Sequence, residues 1–301
     1  MNDYNFKPLN YMKRIKSYYR GLGYKAPYRW AQQTGIPLSK PVKPINKICV
    51  GIVTTASLFD SNNGDQGPGA KYNGKAKFFK TYVKPIDPFP DLRISHIAID
   101  RAHTTATDIG SYFPLAAFQR LAKEKYIGSV SPNFYGLPTN RSQKTTIEVD
   151  CPRLVGMCKK DNLDAVVLVP NCPVCHQSVA LAAVQLEKEG ISTVIIGCAL
   201  DIIQYVGAPR FVFNDLPLGN SAGIPHDNSS QDITAKLAIN ALYKENKPRA
   251  VVKSPLRWRG SLNWKKDYSN IELLSKKEII QCRIEMDLAK ADVNMHDKDL
   301  H

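Results

Sequence analysis

The chain has 301 residues, a formal net charge of +14, 43% hydrophobic and 23% charged residues, enough for a substantial core in one large domain or two small ones. No apolar run approaches the roughly 20 residues of a membrane span, and the first residues carry no apolar stretch of the secretory kind, so the expected location is cytoplasmic, with no membrane partner. Seven cysteines are too few for a disulfide scaffold and predict mostly reduced thiols.

Residues 1–44 read as a basic arm. Residues 9–21 have the pattern of a short helix with Tyr11, Ile15, Tyr18 and Tyr19 near one face, and Pro27, Pro37, Pro41 and Pro44 then enforce an extended path. The excess of lysine and arginine raises nucleic acid as a partner. No nucleic-acid-binding signature accompanies it, so the arm is expected to pack by its aromatics onto the main domain or a sister subunit.

Residues 45–55 form the first strand by composition, and residues 60–69 a loop that lacks the lysine of a phosphate-binding P-loop. A strand over 93–98 leads into a loop holding His96, Asp100, His103 and Asp108. Their spacing matches no established metal-ligand pattern, so no metal site is predicted. A helix over 114–125, a strand over 127–130, a polar loop through 138–143 and a helix over 148–160 follow. Cys151 and Cys158 lie on one face of that last helix, as core residues would. Then come a valine-rich buried strand ending at Pro170-Asn171, a helix from about residue 177 to 189, a strand over 192–197 and a helix starting at Asp201. A strand over 209–213, a long Gly/Pro-rich loop over 214–227 and a helix over 231–246 complete the pattern. The tail from residue 251 is irregular until a charged helix over 270–290.

Alternation of strands and helices over 45–250 predicts an α/β domain with a largely parallel sheet and helices on both faces, in a Rossmann-like, doubly wound arrangement. The basic arm and the helical tail (251–301) flank it. Cys172 and Cys175 fall where a strand gives way to a helix. In such sheets ligands bind at this edge, and the helix N-terminus favours a thiolate. The pair therefore reads as a redox dithiol, half of a soft-metal site, or plain buried cysteine. No second cysteine pair at matching spacing supports a structural zinc site.

The run Val169-Pro170-Asn171-Cys172-Pro173-Val174-Cys175-His176-Gln177-Ser178 resembles the signature of the glycine/betaine/sarcosine/D-proline reductase selenoprotein B family. The likeness continues through Glu189-Gly190-Ile191-Ser192-Thr193-Val194 and Asn214-Asp215-Leu216-Pro217-Leu218-Gly219-Asn220, with Asp108 and Phe113-Pro114-Leu115 upstream. It implies a thiol-dependent oxidoreductase that reductively cleaves a carbon–nitrogen or related bond in a small, amino-acid-like substrate. By position Cys172 resembles the selenocysteine site, Cys175 the resolving thiol, and His176 stands beside them as a proton donor. Arg101, His103, Asp108, Asp215, Asn220 and His226, on the loops at the same edge, are the expected substrate contacts, with Arg101 suited to a bidentate carboxylate pair. The resemblance also implies an external dithiol or thioredoxin-type donor, a pyruvoyl group carried only by a partner subunit, and a homo-oligomer. The other reading kept open is a metal- or ligand-binding protein without redox catalysis.

Overall fold

The computed structural model describes residues 7–26, 28–64, 74–140 and 142–298. Residues 65–69 of the 60–69 loop and Pro27 of the arm lie outside the described residues. Among those described, the strands are β1 (Cys49–Thr54), β2 (Ser57–Leu58), β3 (Tyr82–Pro85), β4 (Leu92–Arg93), β5 (Ser129–Val130), β6 (Asn133–Gly136), β7 (Ala165–Val169), β8 (Ser192–Gly197), β9 (Arg210–Phe213) and β10 (Ala250–Lys253). The helices are α1 (Tyr11–Gly21), α2 (Leu115–Lys123), α3 (Gln143–Thr145), α4 (Cys151–Lys160), α5 (Pro173–Lys188), α6 (Leu200–Val206), α7 (Asn228–Lys244), α8 (Trp264–Asp267) and α9 (Lys276–Lys298).

The main sheet runs β10-β9-β8-β7-β1-β6-β3, with β5 also paired to β1. Every pairing in it is parallel except β3 with β6. Helices cover both faces, so the expected α/β architecture is the one observed. Side chains alternate accordingly along β7. Val166 and Leu168 join a cluster with Leu154 of α4, Val179 of α5 and Ile202 of α6. Val167 and Val169 join another with Phe118 of α2 and Leu242 of α7. Burial on both faces is why these strands read as continuous apolar runs.

Strand order reverses between β1 and β7. From β1 the chain crosses to β6 on one side, and from β7 it continues through β8 to β10 on the other. The carboxyl ends of β1 and β7 therefore flank the crevice where a doubly wound sheet binds ligands. A hydrogen bond from Asn171 N to Thr55 Oγ1 (3.0 Å) joins the two ends.

Several elements depart from the sequence reading. The strand expected over 93–98 is reduced to β4, which pairs only with β2. Beyond it, the carbonyls of His96 and Ile97 are taken by the Arg101 guanidinium rather than by a ladder. Three short strands lack a sequence signal. Phe134 and Tyr135 of β6 are buried on opposite faces, so the alternation that marks a strand is missing. Strand β3 is mostly exposed, and β10 exists because β9 offers an edge. Helix α5 starts at Pro173, four residues earlier than its apolar periodicity suggested, with Cys172 as its N-cap.

The arm and tail pack into the same core as the sheet. Tyr11 is buried and meets Tyr268 edge to face at 5.2 Å. The Arg14 guanidinium donates to the carbonyls of Lys265, Lys266 and Tyr268. The Arg283 guanidinium donates to the Leu22 carbonyl and lies over the Tyr24 ring. The Tyr11 hydroxyl has no partner among the described residues, so its burial carries a desolvation cost with no return bond. Tyr11→Phe is expected to leave urea stability unchanged or raised, whereas Tyr11→Ala should cost about 3–5 kcal/mol.

Glu187 at the end of α5 and Arg210 of β9 form a fully buried ion pair (2.7 Å). Burial pushes the Glu187 carboxyl up and the Arg210 guanidinium down; bonds from Ser39 and Thr193 and the pairing with Arg210 counteract the first, and the pairing with Glu187 counteracts the second. Arg210→Met would strand the carboxylate, and urea unfolding should show a loss of about 3–5 kcal/mol. The double variant Glu187→Gln/Arg210→Met is expected to recover part of it.

Candidate functional site

Cys172 stands three residues past the end of β7, in extended conformation, and its Sγ accepts the Cys175 backbone N–H at 3.1 Å. Pro173 follows at the first helical position, where its missing N–H is no loss. The two cysteines share one helical turn, with Cα atoms 4.9 Å apart and sulfurs close enough to form a disulfide. Their environments differ. Cys172 is 5% exposed and Cys175 0%, and only Cys172 lines the adjoining cavity. Thr139, just beyond β6, places its hydroxyl 3.1 Å from Cys175 Sγ.

The third member of the cluster is His96. One of its ring nitrogens and the two sulfurs lie within 4.8 Å of one another, all three residues buried. Its Nε2 is 2.8 Å from the Thr55 carbonyl at the end of β1. A carbonyl only accepts, so Nε2 carries the hydrogen and Nδ1 keeps the lone pair. Burial is the main cause that pushes the His96 imidazole down to about 4, aided by Lys77 and Arg101, so it is neutral at neutral pH. His96 was grouped by sequence with Asp100, His103 and Asp108. The fold divides that group, leaving His103 on Asp100 (3.0 Å) and carrying His96 to the cysteines. Its signal was proximity to the same sheet edge, which sequence order alone does not convert into contact.

His176 is engaged differently from the expected proton donor. Its Nδ1 donates to the Cys172 carbonyl (2.8 Å), and its Nε2 accepts from the backbone N–H groups of Cys198 and Ala199 (3.1 Å each). The ring thus ties the start of α5 to the turn after β8. A side chain at Gly197 would collide with it, since a Cβ there would stand 2.6 Å from His176 Nε2.

The cavity above the cysteine turn has a volume of about 720 Å³. Its floor includes Cys172, His96 and Thr139, and its walls come from the arm, with Tyr28 and Trp30, and from α9. Lys13, Lys16, Arg20, Lys77 and Lys290 line it, and among the described residues no carboxylate does. Lys13, Lys16 and Arg20 recur at helical spacing along α1, so the basic residues of the arm form one cationic wall. Such a field favours an anionic ligand.

None of the six expected substrate contacts lines this cavity. Arg101 holds the His96–Ile97 backbone. Asp108 accepts from Gly110 N, His226 N and Gln231 Nε2. His226 Nε2 is paired with Thr107 Oγ1 (3.0 Å), Asn220 Nδ2 donates to Thr104 Oγ1 (2.8 Å), and Asp215 pairs with Lys265. His103 Nε2 lies 3.4 Å from Asp267. Together they fasten the 100–108 and 214–227 loops to each other and to the tail. Cys151, Cys158 and Cys198 are buried, and burial pushes each thiol up to about 12, which suits packing and opposes reactivity.

Curated proteins similar to the chain are reductase subunits. The chain is 27% identical over 224 residues to the D-proline reductase subunit gamma of Acetoanaerobium sticklandii, covering 74% of this chain and 90% of that one. It is 24% identical over 234 residues to the glycine reductase complex component B subunit gamma of Symbiobacterium thermophilum, covering 76% of this chain and 53% of the relative. It is 23% identical over 188 residues to the betaine reductase complex component B subunit beta of Peptoclostridium acidaminophilum, covering 60% and 43%. The chain is a relative of the reductase selenoprotein B-like family. It spans nearly the full length of the D-proline reductase subunit and about half the length of the glycine reductase subunit. No family model matches the chain, and no solved structure does. No helix among the described residues is long and apolar enough to cross a membrane.

Burial also pushes His176 down to about 4. A histidine whose folded-state value lies below its unfolded one binds fewer protons folded, so stability falls as pH drops from about 6.5 towards 4. The contribution is on the order of 3 kcal/mol. The urea-stability gap between wild type and His176→Gln should therefore narrow by about that amount from pH 7 to pH 4. A constant gap would mean that the ring is not held neutral.

Proposed function

We propose that the chain is a thiol-dependent reductase that cleaves a carbon–nitrogen or related bond in a small anionic, amino-acid-like substrate. The observation that carries this reading is the asymmetry of the pair, with Cys172 open to the cavity at the N-terminus of α5 and Cys175 buried within bonding reach behind it. The relatives' reductase names support it. The cationic walls supply the attraction for a carboxylate that the sequence reading had sought from Arg101.

In this mechanism the Cys172 thiolate is favoured by the helix end and the Cys175 N–H bond. It attacks the substrate carbon, forming a C–S bond as the C–N bond breaks and nitrogen leaves with the electron pair and a proton. Cys175 then attacks the Cys172 sulfur, forming S–S and breaking C–S, and the carbon departs with the electron pair and takes a proton. The substrate is reduced by two electrons and the dithiol oxidised by two. An external dithiol or thioredoxin-type donor restores the thiols. His96, a neutral imidazole with one ring nitrogen near the sulfurs, is the better-placed acceptor for the thiol proton, and His176 positions the turn. Activation of the substrate amine falls to a partner subunit, on which a pyruvoyl group would be carried, since the relatives bear the names of reductase subunits and complex components.

Cys172→Ser is expected to abolish turnover of D-proline- or glycine-type substrates by the chain with its partner. Cys175→Ser should stop after the first step and accumulate a Cys172–substrate thioether visible by intact-protein mass spectrometry. Wild-type turnover in the Cys172→Ser variant would refute the assignment.

A further inference from the structure

We infer that the reduced Cys172–Cys175 pair and His96 form a three-ligand site for a zinc-type divalent ion, with its fourth coordination position open to the cavity. The two sulfurs follow the carboxyl end of β7, His96 comes from the loop after β4 and is held at the end of β1 by its bond to Thr55, and all three residues are buried. They lie within 4.8 Å of one another, and ligands at zinc bond lengths stand about 3.5–4 Å apart in a tetrahedral site. A modest separation of the sulfurs on reduction therefore completes the geometry. Two sulfurs and an imidazole match the donor preference of this ion class.

The surroundings of each donor are those of a metal ligand. The Nε2–H of His96 donates to the Thr55 carbonyl, which fixes the tautomer and leaves Nδ1 as the nitrogen with a lone pair to give a metal, as outer-shell partners of ligating histidines do. Thr139 Oγ1 contacts Cys175 Sγ and the Cys175 N–H contacts Cys172 Sγ, each at 3.1 Å. Two thiolates balance a divalent charge, so the cationic walls do not oppose the ion but favour an anion at its open position. A structural site would present a fourth protein ligand; three ligands beside a cavity make a site that can bind and polarise a small molecule.

Binding displaces two thiol protons and transfers no electrons. It also competes with the disulfide, since the same sulfur electrons cannot serve both. The inference goes beyond the proposed reductase and needs only reduced thiols.

The test uses the full chain, reduced with a phosphine, freed of reductant under anaerobic conditions and titrated with cobalt(II), then with zinc(II) in competition. Equimolar thiolate-to-cobalt charge transfer with tetrahedral visible absorption, removed by zinc, is the expected result. His96→Ala should weaken binding by more than the ~10–100-fold that loss of an outer-shell partner costs, and Cys172→Ser should remove the charge-transfer band. Absence of the band in the wild type would overturn the site, as would unchanged affinity in His96→Ala. Because the wild-type titration needs no variant, misfolding of a mutant cannot hide the answer. Disulfide formation in the metal-free wild-type chain, followed by mass spectrometry, separates the metal site from the redox pair: a pair that oxidises but takes up no cobalt when reduced overturns the site and leaves the reductase reading standing.

Discussion

Helix α5 is buried on nearly every side. From Pro173 to Glu187 most of its side chains are buried, and a helix of this kind has to be covered all round. The sheet, α4 and α6 cover three sides. The arm covers the remainder, with Ala31 N donating to Gln177 Oε1 (2.7 Å) and Gln33 Nε2 to the carbonyls of Ala180 and Gly207. Burial of α5 thus brings a basic segment over the start of the same helix, where Cys172 sits. The cavity and its charge follow from that packing requirement.

The reversal of strand order between β1 and β7 supplies the second constraint. It leaves the ends of two central strands without a crossover between them, and Thr55, His96, Thr139 and the cysteine turn converge there. The Arg101 guanidinium fixes the carbonyls of the His96 segment from behind. The side chains expected as substrate contacts hold the site's loops in place, as their polar character and position at the sheet edge allow.

A disulfide and a dithiol differ by two electrons and two protons, a dithiol and a dithiolate metal site only by two protons and the ion, and a turn that brings two sulfurs into contact can host each. What separates this turn from an ordinary buried CxxC is the third donor and the open wall. His96 sets a neutral imidazole near the sulfurs, and the cavity opens onto Cys172. The walls of that cavity belong to the arm and tail.

Sequence by itself determined the parallel α/β domain, because valine-rich runs buried on both faces alternate with helices of recognisable period. It also located Cys172 and Cys175 at a strand-to-helix junction, since Pro170 and Pro173 punctuate that step locally. Strands β3, β6 and β10 were not legible, because each is short and owes its existence to a neighbouring strand rather than to its own pattern. Only the tertiary structure decided that His96 joins the cysteines while His103 and Asp108 do not, and that the basic arm lines the cavity. These are contacts between segments far apart in the chain, and nothing in local spacing encodes which of several polar loop residues the closing of the sheet and the burial of α5 will bring together.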